Sequence, residues 1–311
     1  MREAVIVSTA RTPIGKAYRG SFNDTSGQEL AAHAISNALA RAGVGGADVE
    51  DVVLGCAMPE GSTGFNVARQ GALRAGLPVT VPGMTVDRQC ASGLMAIAIA
   101  AKQVITDGMN VVVGGGVESI SLVQNVHKNT FRATDDWLEE HKPSTYAPML
   151  HTAEIVAERY GVTREQQDEF ALLSQQRCAA AQKAGVFADE IVEFAGTYLA
   201  LDKAGGEPAP TRFVSDLDEG NRPSTTPEGL ASLRTVLSNG TVSTTPTVTA
   251  GNSSQLSDGA SAAVIMEAAE AHRRGLTPLG AYRGMAVAGC EPDEMGIGPV
   301  FAIPKLLAEH H

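Results

Sequence analysis

MTVDRQCASGLMAIAIAAKQVITD, residues Met84–Asp107, runs a short Val-containing stretch, a turn and a long apolar segment together. Met84–Asp87 reads as a strand, and Ser92–Asp107 is Ala-rich and long enough for a helix. Up to Ala101 the second segment is apolar almost all round. A helix of that kind has no face for water and is expected inside the protein. Cys90 falls at its head, so it too is expected to lie deep.

Outward from this stretch the same alternation repeats. Ala4–Ser8, Val52–Ala57 and Val111–Val113 are further Val-rich runs, with Glu29–Ala42 and Asn66–Ala75 as helical segments between them. Strand and helix in alternation predict an α/β fold, a mostly parallel sheet covered by helices. The runs are nearly continuous rather than alternating, as for strands buried on both faces. From Ser119 to Pro246 the character becomes polar and irregular. Within it a helix is predicted over Arg164–Ala184, opened by a capping box of Thr163 and Gln166 and stopped before Gly185. Asp202–Pro227, rich in Pro and Gly, reads as loop. Beyond it, strands are expected at Ala262–Glu267 and Ala281–Ala288, and helices at Glu270–Arg274 and Val300–Glu309.

The chain has 311 residues, which at roughly 150 per domain suggests two domains. Charged residues are 19% and aromatics 5%, so the core must be built of small aliphatic side chains. The net charge of −11 argues against nucleic acid or an anionic membrane as a general partner. A hydrophobic content of 43% excludes low-complexity disorder. Cys56, Cys90, Cys178 and Cys290 show no CxxC and no metal-ligand spacing, so neither a disulfide scaffold nor a metal site is expected. The N-terminal apolar run is too short for a signal peptide, and no stretch of 18 apolar residues is apparent. A soluble protein of a reducing compartment, read as cytoplasmic, is the expectation.

Position distinguishes the cysteines. A thiol where a strand turns into a helix feels the helix's positive end, which favours the thiolate, and the free N–H groups there suit an oxygen gaining negative charge. Gly93 leaves room for a ligand to approach the backbone. On position alone a lone cysteine is more often a buried small hydrophobe, and Cys56, Cys178 and Cys290 are read that way. Gly114–Gly116 lack the spacing of a phosphate loop and are read as permitting close packing, with no nicotinamide or flavin implied.

TVDRQCASG at 85–93 resembles the nucleophile segment of the thiolase family. RTPIGKAYRG at 11–20, GGGVESIS at 114–121, MLHTAE at 149–154, VTAGNSSQLSDGASAA at 248–263 and MGIGPVFAIPK at 295–305 resemble further thiolase segments in the same order. The resemblance covers essentially the whole chain. It implies a layered α/β/α fold in which 1–118 with 247–268 form the half that carries the nucleophile. Residues 119–246 are then an inserted loop subdomain that binds CoA, and 269–311 the start of a second half. It also implies acyl-CoA and CoA as substrates, no bound cofactor, and a homodimer or homotetramer.

The implied reaction is cleavage of a 3-ketoacyl-CoA by CoA, or the reverse Claisen condensation, through an acyl group on Cys90. Arg222 matches a loop arginine beside the CoA nucleotide, and Ser254 a serine bonded to the pantetheine arm. Met149 and Met295 match residues lining the thioester and acyl pocket. Pro148 stands where short-chain biosynthetic members carry His, a feature of the degradative members. His151 replaces a residue that is usually apolar and is read as a turn histidine. The family's second cysteine, its GHP histidine and its Asn-Glu-Ala-Phe segment do not occur in the sequence, and Cys290 precedes the segment after which that cysteine is expected. The second half is therefore expected to be incomplete here. Two alternatives stay open: a catalytically incomplete CoA-ester-binding member of the fold, and a decarboxylating condensing enzyme, which MLHTAE and GNSS disfavour.

Overall fold

A computed structural model describes residues 2–200 and 206–310. Its strands are β1 (Ala4–Arg11), β2 (Gly15–Lys16), β3 (Asp51–Gly55), β4 (Gly83–Val86), β5 (Val111–Ser119), β6 (Phe194–Ala200), β7 (Ala209–Ser215), β8 (Ser257–Glu267) and β9 (Gly280–Ala281). The helices are α1 (Gly27–Ala42), α2 (Val67–Arg74), α3 (Ser92–Thr106), α4 (Ile120–Val123), α5 (Asp136–His141), α6 (Met149–Tyr160), α7 (Arg164–Lys183), α8 (Pro227–Ala231), α9 (Ala268–Arg273) and α10 (Gly298–Glu309). Two compact units result. The first takes Met1–Lys128, Phe187–Gly220 and Leu256–Arg283; the second takes Asn129–Val186, Asn221–Gln255 and Gly284–His311.

The first unit is built on a sheet in the order β4-β3-β5-β8-β1-β9, with β2 also paired to β8. β3 pairs in parallel with β4 and β5, whereas β8 is antiparallel to both β5 and β1. The sheet is thus mixed rather than mostly parallel: β1, β3, β4 and β5 run one way and β8 runs against them. The chain passes from β5 to β8 by way of the second unit, so no single crossover helix dictates a parallel pairing.

Alternation along the strands gives each face its own core. Val52 and Leu54 of β3, Val111 and Val113 of β5, and Val264 and Met266 of β8 pack with α1 and α2. Val53, Val112 and Ile265 pack on the other face with Ala96, Ala100, Ala101 and Val104 of α3. These are the helix, sheet and helix layers of an α/β/α sandwich. Local signals set the helix ends: Ser26 caps α1 through Glu29 N–H, and Gly43 closes it at φ 60°. Asn66 caps α2 through Arg69 N–H.

Four expectations need correction. First, α3 is not enclosed: its small residues meet the sheet while Leu94 is 76% exposed. Apolar composition says which faces can be buried, and one sheet contact uses only one. Second, Gln89–Thr106 is no unbroken apolar run, yet by length and composition it passes for a membrane span, as the core helix of a soluble protein also does. Third, the loop read over Asp202–Pro227 contains β7, which forms a ribbon with β6; residues 201–205 lie outside the described residues. Pro210 is tolerated because both strands of a two-stranded ribbon are edges. Fourth, of the strand expected at Ala281–Ala288 only Ala281 belongs to β9, whose two residues pair with Val5 and Ile6.

β5 runs six residues beyond the expected Val111–Val113, and its glycines stay in the strand. A Cβ on Gly115 would lie 2.1 Å from Ser261 O, and one on Gly114 3.0 Å from the Cα of Ile97 in α3. Close approach of β8 and α3 explains both.

In the second unit α7 begins with the expected capping box of Thr163 and Gln166. Glu154 of α6 is 1% exposed and accepts from the N–H groups of Thr247 and Val248 and from the Thr247 hydroxyl. Asn252 donates to Asp168, which pairs with Arg164, so the 247–254 segment is tied to both helices.

Candidate active site

β4 ends at Val86, and residues 87–91 carry the chain from the sheet to α3. The turn is held by its own side chains. Asp87 Oδ1 accepts the Gln89 N–H at 2.6 Å, and Ser92 Oγ accepts the Arg88 N–H at 2.8 Å while donating to the Gln89 carbonyl. Gln89 adopts φ 47°, a left-handed conformation unusual for a residue with a side chain. Cys90 follows it directly.

Cys90 lines a cavity of about 310 Å³ in the first unit, together with Gly55, Gly93, Gly116, Arg11, Glu118 and Ser92. The residue is exposed, which corrects the expectation of a sulfur held deep at the head of an enclosed helix. Where the cavity wall is glycine, β3, β5 and α3 come together on backbone alone. A Cβ on Gly55 would sit 2.1 Å from the Ser92 carbonyl carbon, and one on Gly116 3.4 Å from Gly93 Cα. Gly93 itself has no neighbour nearer than 3.9 Å to a Cβ, in keeping with the room for a ligand expected there.

Two charged groups on the wall were not singled out from the sequence. Burial pushes the Glu118 carboxyl up, against the N–H groups of Ala57 and Met58, which hydrogen-bond it and favour its charged form. Burial likewise pushes the thiol of Cys56 up to about 12, with the charge of Glu118 adding to it. Cys56 is 1% exposed and keeps the structural role read for it. Arg11 meets Asp218 through both terminal nitrogens, at 2.7 and 2.9 Å, and Glu190 through Nε at 2.9 Å. Burial opposes its charge, yet the two carboxylates hold its pKa above the ordinary arginine value. The signal for both lay in the segments RTPIG and GGGVES, where neither residue stands out by local pattern.

The other candidate residues all belong to the second unit. Arg222 is exposed, and its N–H donates to Gln175 Oε1 of α7. Ser254 is exposed, with its hydroxyl on the Gln255 carbonyl. Met149, the first residue of α6, and Met295, in a short turn at Pro292–Ile297, are both exposed. Cys178 and Cys290 are half-buried. Among the described residues no cluster of three or more His, Cys, Asp or Glu could hold a metal ion.

The chain is similar to known proteins. The family described as "Thiolase, N-terminal domain" matches residues 4–269. A 3-ketoacyl-CoA thiolase of Bacillus subtilis is 45% identical over 307 residues, which span 99% of this chain and 76% of that protein. An acetyl-CoA acetyltransferase of Chromobacterium violaceum is 39% identical over 317 residues, covering 99% and 77%. A peroxisomal 3-ketoacyl-CoA thiolase A of Mus musculus is 41% identical over 306 residues, covering 98% and 69%.

Proposed function

The chain belongs to the thiolase family, and from that premise we propose that its thiolase-type acyl transfer runs through a thioester on Cys90. In the cleavage direction the sulfur adds to the C3 carbonyl of a 3-ketoacyl-CoA. The C2–C3 bond breaks with its electron pair on C2, and a proton converts that carbanion to acetyl-CoA. The acyl group left on sulfur then passes to the thiol of a second CoA, which gives up its proton, and Cys90 is regenerated. Run backwards, the same steps form the carbon–carbon bond. CoA is a substrate in this scheme, and no resident cofactor takes part.

One observation carries the reading: Cys90 is exposed on a cavity at the head of α3 whose lining includes Gly55, Gly93, Gly116 and Gly259. A thioester can reach the sulfur, and backbone N–H groups at a helix N-terminus suit the oxygen that becomes negative when the carbonyl is attacked. Arg222 and Ser254 would meet the nucleotide and pantetheine parts of CoA, and Met149 and Met295 the thioester end. A guanidinium suits phosphate, and a hydroxyl suits the amides of the pantetheine arm.

The test is incubation with acetoacetyl-CoA or a longer 3-ketoacyl-CoA, followed by intact-mass analysis and peptide mapping. The expected result is one acyl mass on Cys90 that free CoA removes, and none in Cys90→Ala. Turnover by Cys90→Ala would overturn the proposal. Binding of the CoA ester with no acyl mass on Cys90 and no turnover would favour the CoA-ester-binding alternative.

A further inference from the structure

We infer that Ser92 and Asp87 are positioning residues for Cys90: together they pin Gln89 in its left-handed conformation and so set the direction in which the sulfur enters the cavity. The inference rests on Cys90 being the nucleophile. Its basis is the way the polar groups before Cys90 are held. The Arg88 N–H goes to Ser92 Oγ, the Gln89 N–H to Asp87 Oδ1, and the Gln89 carbonyl takes both the Ser92 hydroxyl and, at 3.0 Å, the Ser92 N–H. The Ala91 N–H closes the turn on the Arg88 carbonyl at 3.1 Å. Gln89 is therefore gripped at both ends by side chains that flank it.

Such a grip has a function because of the conformation it maintains. Left to itself, a residue with a Cβ leaves the left-handed region for extended or right-handed backbone. Either change would swing the Cα–Cβ bond of the next residue, Cys90. A left-handed residue held by its surroundings next to a reactive group is strain kept for a purpose.

The clamp also has a fixed reference. Ser92 is 3% exposed, and its carbonyl carbon would lie only 2.1 Å from a Cβ on Gly55, the last residue of β3. Ser92 consequently rests on the sheet itself. Its hydroxyl transmits the position of β3 to the turn, while Asp87, just beyond β4, does the same from that strand. Neither side chain needs to touch the substrate. They act through Cys90.

The test compares Cys90→Ala, Ser92→Ala, Asp87→Ala and Asp87→Asn in the full chain. The readouts are the rate of Cys90 acylation by acetoacetyl-CoA, kcat and KM separately, and Tm. Asp87→Asn keeps an acceptor oxygen for the Gln89 N–H and should acylate within about twofold of the parent, whereas a misdirected nucleophile costs about ten- to a hundredfold. That loss is expected for Ser92→Ala and Asp87→Ala in kcat and acylation rate, with KM nearly unchanged. Should Ser92→Ala fail to fold, the Asp87 pair still decides the matter. The inference is overturned if both alanine variants acylate at the parent rate, or if their losses follow Tm and KM without rescue by Asp87→Asn. Turnover by Cys90→Ala would instead remove the nucleophile reading on which it rests.

Discussion

Gly55 sets how near the head of α3 can come to β3. A methyl there would meet the Ser92 carbonyl carbon at 2.1 Å, its oxygen at 2.3 Å and the Gly93 nitrogen at 2.4 Å. All three are backbone atoms, so the helix itself must move. Overpacking of this kind costs about 3 kcal/mol, and Gly55→Ala should lower the urea midpoint accordingly. Because the displaced atoms carry the Cys90 turn, acyl transfer should fall as well. Gly93, a neighbour on the same cavity wall, gives the contrast: its nearest atom lies at 3.9 Å. Gly93→Ala should stay within about 1 kcal/mol of the parent, since alanine is the better helix former. Equal destabilisation by the two substitutions would show that close approach is not what Gly55 provides.

Elements were legible where their determinants are local. The Thr163–Gln166 box and the Asn66 cap lie within a few residues of the helix ends they fix, and the helices appeared close to where they were expected. The turn from β4 into α3 that carries Cys90 was legible for the same reason, since strand, turn and helix follow one another in sequence. Arg11, Glu118 and Gly259 were not, because they reach the cavity from β1, β5 and β8, which only the sheet brings together. β7 was hidden by its proline, and the full length of β5 by glycines whose meaning depends on Ser261 and α3. Glu154 is a further case, its partners lying 93 and 94 residues away. This carboxylate has backbone N–H groups and a hydroxyl as its partners, and it fixes α6 to the 247–248 segment. Glu154→Gln turns one acceptor into a donor that faces donors and should cost about 2 kcal/mol, while Glu154→Ala leaves buried N–H groups unpaired and should cost about 3 kcal/mol. Chemical denaturation of the two variants, together with KM for CoA, checks this. A larger loss in Gln than in Ala would contradict the pairing argument.

Stability of the whole chain against acid turns on which groups change their protonation on unfolding. Between pH 7.5 and 5.5 exposed carboxylates stay ionised, and the seven histidines are the side chains whose ordinary pKa lies in that range. His33 stands out. Its ring sits on α1, 4.8 Å edge-on from Phe194 of the β6–β7 ribbon, and its Nε2 is buried without a hydrogen-bond partner. Burial lowers its pKa, although the carbonyls of Val192 and Glu193 and the charge of Glu29 pull the other way. An unfolded chain therefore takes up this proton before the folded one does. Stability from His33 is complete above about pH 6.5 and is lost as pH falls from there through the lowered folded value. Glu118 and Asp258 have the opposite sign: burial raises both, so their contribution is lost as pH rises and acidification favours the fold. A decline in stability across this window thus belongs to histidine rather than to the buried carboxylates. His33→Phe keeps an aromatic ring against Phe194 and cannot titrate. Its Tm should fall less than that of the parent between pH 7.5 and 5.5, and parallel curves would show that His33 is not the group responsible.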